Sequence, residues 1–141
     1  MKNTTTALAL AVLAAAPAVA GERSFPGARD SWSYAVQAPG AAGLTRFSYL
    51  NATPIGAGRW SVSVACGQHV ARTGREVSRH EATGTAERGH MAAIGGTFAL
   101  GGGPPSAFLI DLGDTSDALR LRAQFTDTRC ASGWGDLSAG D

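Results

Sequence analysis

The sequence predicts an all-β fold, an antiparallel β-sandwich or a small β-barrel of about six to eight strands with one disulfide. Three observations carry that expectation. Apolar side chains recur with a period of two, glycine and proline turn signals fall between the periodic runs, and the two cysteines, Cys66 and Cys130, lie far apart.

The chain opens with a segment that reads as an export signal rather than as part of the fold. Lys2 supplies a positive start, Ala7 to Ala16 is an apolar run, and Ala18-Val19-Ala20 places small residues before Gly21. That order predicts a signal peptide over residues 1–20, cleaved after Ala20, and a single secreted or periplasmic domain over 21–141. The apolar run is too short to span ~30 Å of hydrocarbon, and no later stretch approaches that length. Gly21 in place of a cysteine gives no sign of a lipid anchor.

The strands follow in order. Trp32, Tyr34 and Val36 alternate with Ser31, Ser33 and Ala35; Phe47 and Tyr49 alternate with Arg46 and Ser48. In Arg59 to Cys66, Trp60, Val62, Val64 and Cys66 share one face against Ser61 and Ser63. Leu119, Leu121, Ala123 and Phe125 alternate with Arg120, Arg122 and Gln124. Such alternation marks sheets with one face in a core and one in water. The runs His90 to Leu100 and Ala107 to Leu112 are apolar enough for more deeply buried strands. Pro39-Gly40, Pro54 with Gly56 and Gly58, Gly101 to Pro105, and Gly113-Asp114 supply the turns. Gly67 to Gly89 is polar and of mixed charge; it suits either a short helix over Arg75 to Ala82 or an edge hairpin. An immunoglobulin arrangement does not fit, because Trp60 precedes Cys66 and only 11 residues follow Cys130.

Composition narrows function. Of 141 residues, 44% are hydrophobic and 16% charged, which describes a folded domain and not a disordered one. Lys2 is the only lysine, so the processed chain carries arginine alone as its strong base, balanced by 11 acids. A nucleic-acid or membrane-surface binder needs an excess of positive charge, so neither is expected. Two cysteines in a small exported domain read as one structural disulfide; a redox pair would sit closer together and a zinc site would need more ligands.

Catalytic motifs are absent. There is no G-x-S-x-G elbow, Ser106 follows two prolines, and the glycines at 101–103 precede prolines that cannot donate N–H groups to a phosphate. His69, His80 and His90 with Glu76, Glu81 and Glu87 invite a metal reading, but no two histidines have a ligand spacing. Asp111, Asp114 and Asp117 lack the calcium-loop pattern and suit a turn. No catalytic residue, metal or cofactor is therefore assigned. The expectation is a non-catalytic exported binding module of the bacterial cell envelope, an inhibitor or accessory protein, with a protein or anionic envelope polymer as partner. Its candidate contacts are Arg120 and Arg122 on one strand face, Arg72, Arg75 and Arg79 in the polar stretch, and Trp134 between Gly133 and Gly135. For Trp134 the first reading is a plug over an open barrel end or a cover over the disulfide, and a contact anchor is the alternative. The alternatives are a carrier of a small apolar molecule, with space at Ala92, Ala93, Gly95 and Gly96, and, last, a small hydrolase or metal-dependent enzyme.

Overall fold

The side chains that alternate inward along the chain are of two kinds, large rings and very small residues, and their pairing across strands closes the sheet on itself. In the computed structural model, which describes residues 25–89, 93–113 and 120–140, the strands form a closed antiparallel barrel in simple up-and-down order. They are β1 (Trp32–Pro39), β2 (Leu44–Gly56), β3 (Arg59–Val70), β4 (Glu76–Gly89), β5 (Ala93–Phe98), β6 (Ser106–Asp111), β7 (Arg120–Phe125) and β8 (Gly133–Ala139). Each pairs with the next, and β8 returns to β1 through Trp32↔Ala139 to Val36↔Gly135. The all-β class is as expected, and barrel rather than sandwich is the outcome. Cys66 and Cys130 are joined, with Cα atoms 4.8 Å apart. The predicted signal and its cleavage site, His90, Ala92, Asp114, Asp117 and Leu119 lie outside the described residues.

The interior is filled by side chains, as an eight-strand barrel allows. Trp32, Tyr34, Val36, Leu50, Trp60, Val62, Ile94 and Ile110 are each at most 1% exposed. Two short segments close the ends. At one end, residues 25–31 cross the opening: Trp60 Nε1 donates to the Asp30 carbonyl at 2.7 Å and Arg88 donates to the Pro26 carbonyl. At the other, the loop between β7 and β8 is held down by the disulfide. There Arg46 Nη2 donates to the Thr128 and Cys130 carbonyls at 2.8 and 2.6 Å, and Ser48 Oγ to the Ala131 carbonyl at 2.8 Å.

Three local expectations are corrected. The helix over Arg75 to Ala82 does not form; β3 runs on to Val70 and β4 begins at Glu76, so a hairpin is the outcome, paired on both sides within the barrel and not at an edge. Its inward positions, Ser78, His80, Ala82, Gly84 and Ala86, are too small or too polar to show as an apolar stripe. In β2 the phase is opposite to the one hydropathy suggests. Arg46 and Ser48 face inward beside Gln68 and Cys66, because the carbonyls of the disulfide loop need their donors, and Phe47 and Tyr49 face outward. Phe47 is nonetheless only 1% exposed, sandwiched by stacking on Tyr49 and His69 at 4.7 and 5.9 Å. Finally, the tail after Cys130 is a full strand, β8, and it is the strand that closes the barrel.

Glycine works here by the space it leaves. Gly84 is the cross-strand partner of Phe98, and Gly96 the partner of Phe108. A Cβ on Gly96 would sit 2.5 Å from the Phe108 ring, well inside contact distance. We expect Gly96→Ala to destabilise the fold by about 1–3 kcal/mol through overpacking, read as a lower urea midpoint at unchanged slope. An unchanged midpoint would show that both the ring and the Thr85 carbonyl, which lies closer still to the same Cβ, have room to move.

Candidate functional site

Outside the barrel, the register lines up small side chains in neighbouring rows. On β1 these are Ser33 and Ala35, on β3 Ser63 and Ala65; Asn51 lies between them on β2. Because a strand alternates its side chains, all of these point outward, while Tyr34, Leu50 and Val64 between them point into the core. The strands at the two sides carry Arg79 and Glu81 on β4 and Asp136 and Ser138 on β8, and Tyr49 on β2 stands between Ala35 and Ala65. The small side chains of β1 and β3, on either side of Tyr49 and Asn51, leave an open groove of ≈ 610 Å³ across β8, β1, β2, β3 and β4.

The polar groups of the groove pair largely with one another. Ser33 and Ser138 hydroxyls lie 3.1 Å apart, and Gln37 Nε2 donates to the Tyr49 hydroxyl at 3.4 Å. Arg79 donates to Glu81 at 2.6 Å and to Glu76 at 3.0 Å, and its guanidinium sits 6.0 Å from the centre of the Phe47 ring. The hydrogen bonds to Glu81 and then Glu76 raise its pKa above the ordinary arginine value. Arg120 stands 3.6 Å from Asp136, an exposed pair worth little to stability but enough to balance the local charge.

The sequence-predicted contacts therefore divide. Arg79 and Trp134 come to this face. Trp134 is 55% exposed on the outer face of β8, two residues from Asp136 and opposite Arg122 of β7. It plugs neither end, because its flanking Gly133 and Gly135 take the inward positions; Tyr34 packs so close to Gly135 that a Cβ there would meet its ring at 2.7 Å. Arg120 and Arg122 do share the outer face of β7. Arg72 lies in the β3–β4 turn and Arg75 directly before β4, away from β7. Sequence reasoning missed Tyr49, Asn51, Ser63, Glu81 and Asp136 as a group, since they come from four separate strands. The outward serines alternating with valines in β3 were the one signal available.

The other candidate sites are placed as follows. His69 stacks outside on Phe47, His80 faces inward opposite Cys66, and Glu76 and Glu81 are engaged by Arg79. Among the described residues no three such side chains converge as a metal would require. Asp111 Oδ1 accepts the Gly113 N–H at 2.9 Å, the turn-stabilising role expected of it. Ala93, Gly95 and Gly96 line a second open groove of ≈ 600 Å³ with Leu109, on the outer side of β4, β5 and β6. On the inner side, the Phe108 ring covers Gly96, so these small residues seat a ring. No protein-family model, curated protein or solved structure matches the chain.

Proposed function

We propose that the chain is a non-catalytic binding module of the bacterial cell envelope, exported to the periplasm or beyond, whose outer groove holds an extended segment of a protein partner. The observation that carries this reading is the groove itself: small side chains on β1 and β3 around the Asn51 amide and the Tyr49 hydroxyl, with a half-exposed tryptophan on β8 two residues from the lining Asp136. A closed barrel has no free strand edge, so a partner cannot extend the sheet and must be read by outward side chains. Hydroxyls and amides satisfy both the N–H and C=O groups of a polypeptide. Tryptophan and arginine, here Trp134 beside Arg122, are the residue types that most often dominate protein contacts.

A protein partner is favoured over an anionic polymer at this face. Arg79 is already engaged by two carboxylates, Arg120 faces Asp136, and Glu81 and Asp136 would repel a polyanion. The buried disulfide suits an oxidising compartment, in keeping with the leader-like first twenty residues.

The test is capture of the partner by the protein from its own exported fraction, followed by affinity measurement with purified components. Trp134→Ala is expected to weaken binding by at least about thirtyfold, and Ala65→Arg, which fills the groove floor, to abolish it. Unchanged affinity in both variants, each folded by its thermal transition, would rule the groove out.

A further inference from the structure

The geometry points to a second site, an oxyanion-binding crevice of the phosphate class at the disulfide end of the barrel. Its lining follows from register. Arg46 on β2, Gln68 on β3 and Ser78 on β4 are successive cross-strand partners facing inward, and His80 stands one step further in, opposite Cys66. The loop between β7 and β8 passes over them, pinned by the Cys66–Cys130 bond and by Arg46. Between loop and strands lies an open crevice of ≈ 290 Å³ bounded by Arg46, Gln68, Ser78, His80, Thr128 and Arg129.

Every side chain in that set carries a nitrogen or hydroxyl donor group, Arg129 already directing two of its nitrogens to Asp127. Arg46 spends one terminal nitrogen on the loop carbonyls; among the described residues its other nitrogens, the Gln68 amide, the Ser78 hydroxyl and the His80 ring make no side-chain hydrogen bond. The carboxylate paired with the lining Arg129 is already committed. Asp127 binds Arg129 through two oxygens at 3.0 and 2.7 Å and also accepts from Ser106. The hydrogen bonds from Arg129 hold the Asp127 pKa down at about 2, and both its oxygens are occupied by Arg129 and Ser106. Arg72 and Arg75, at the β3–β4 turn of the same end, add two positive charges, which outweigh the one negative charge left where Glu76 and Glu81 share Arg79. A concave, donor-rich, net positive pocket with no free acceptor charge selects a small anion with several acceptor oxygens.

The probe is inorganic phosphate, followed by two-dimensional amide NMR of the folded protein at low ionic strength. Saturable shifts are expected at Gly67, Gln68, Ser78, His80 and the Gln68 side-chain amide. Gln68→Glu places a like charge in the crevice without removing a contact that holds the loop, and is expected to weaken phosphate at least about tenfold. Acetate at matched ionic strength is expected to bind at least about tenfold more weakly, having fewer acceptor oxygens. Shifts that rise without saturating, shifts reproduced by sodium chloride, or equal affinity of the Gln68→Glu protein would each overturn the site. Equal affinity for acetate would overturn its assignment to the phosphate class. Because the crevice and the outer groove lie on different sides of the sheet, loss of phosphate binding leaves the Trp134→Ala result for a protein partner untouched.

Discussion

Replacing Cys66 and Cys130 together with alanine is expected to lower stability by about 4 kcal/mol, measured as the difference in urea unfolding free energy from the oxidised protein. The bond spans 64 residues, so breaking it returns a large loop to the unfolded ensemble. Its folded-state role adds to that. Cys66 and Cys130 are at most 1% exposed, and the loop they anchor delivers the carbonyls of Thr128, Cys130 and Ala131 to Arg46 and Ser48. If the loop lifts, an inward arginine and an inward serine lose their acceptors at the barrel mouth. A loss below about 1 kcal/mol would mean that neither loop closure nor this polar seam limits stability. The same variant should also lose the phosphate response, since the loop forms one wall of the crevice.

Trp60→Ala carries the second large expected effect, a loss of about 3–5 kcal/mol. Trp60 is fully buried and meets Trp32 edge to face, ring centres 5.8 Å apart at 74°. Truncation would leave a ring-sized void in a barrel whose strands cannot collapse inward without breaking register. Its indole also donates to the Asp30 carbonyl, tying residues 25–31 across the barrel end together with the Gly58 N–H to Ala28 contact. Trp60→Phe keeps most of the volume and removes that donor, so its cost should be nearer about 1 kcal/mol. Equal costs for the two variants would place the whole effect in the hydrogen bond and none in the packing. Guanidinium or urea titration with far-ultraviolet circular dichroism separates these outcomes, because the tryptophan signal itself changes in both variants.

Legibility followed side-chain size. Strands β1 and β3 were readable because Trp32, Tyr34, Val36, Trp60, Val62 and Val64 put large apolar groups at every second position. Strand β4 was ambiguous and β8 unseen because their inward residues include Ala82, Gly84, Ala86, Gly133 and Gly135, which scarcely differ from turn composition. Strand β2 misled for a different reason: its outer face carries the rings of Phe47 and Tyr49, whereas Arg46 and Ser48 go inside to meet a loop more than eighty residues away. Of the candidate contacts, Trp134 and the β7 arginines were singled out by residue type and do stand on outer faces, but the groove between Asp136 and Glu81 was not legible, since no local pattern links β8 to β4.

By itself the sequence determined the all-β class, the places of most turns and the pairing of Cys66 with Cys130, because period-two alternation, glycine-proline chemistry and a lone cysteine pair are local or countable properties. Only the tertiary structure decided that the sheet closes, which face of β2 turns inward, and that glycines such as Gly84 and Gly96 make room for the rings of Phe98 and Phe108 on the neighbouring strand. The physical reason is that alternation tells which residues share a face, while the choice of the inward face depends on volume and hydrogen-bond partners supplied by distant strands. A small residue becomes a core residue when the strand beside it brings the ring that fills its space.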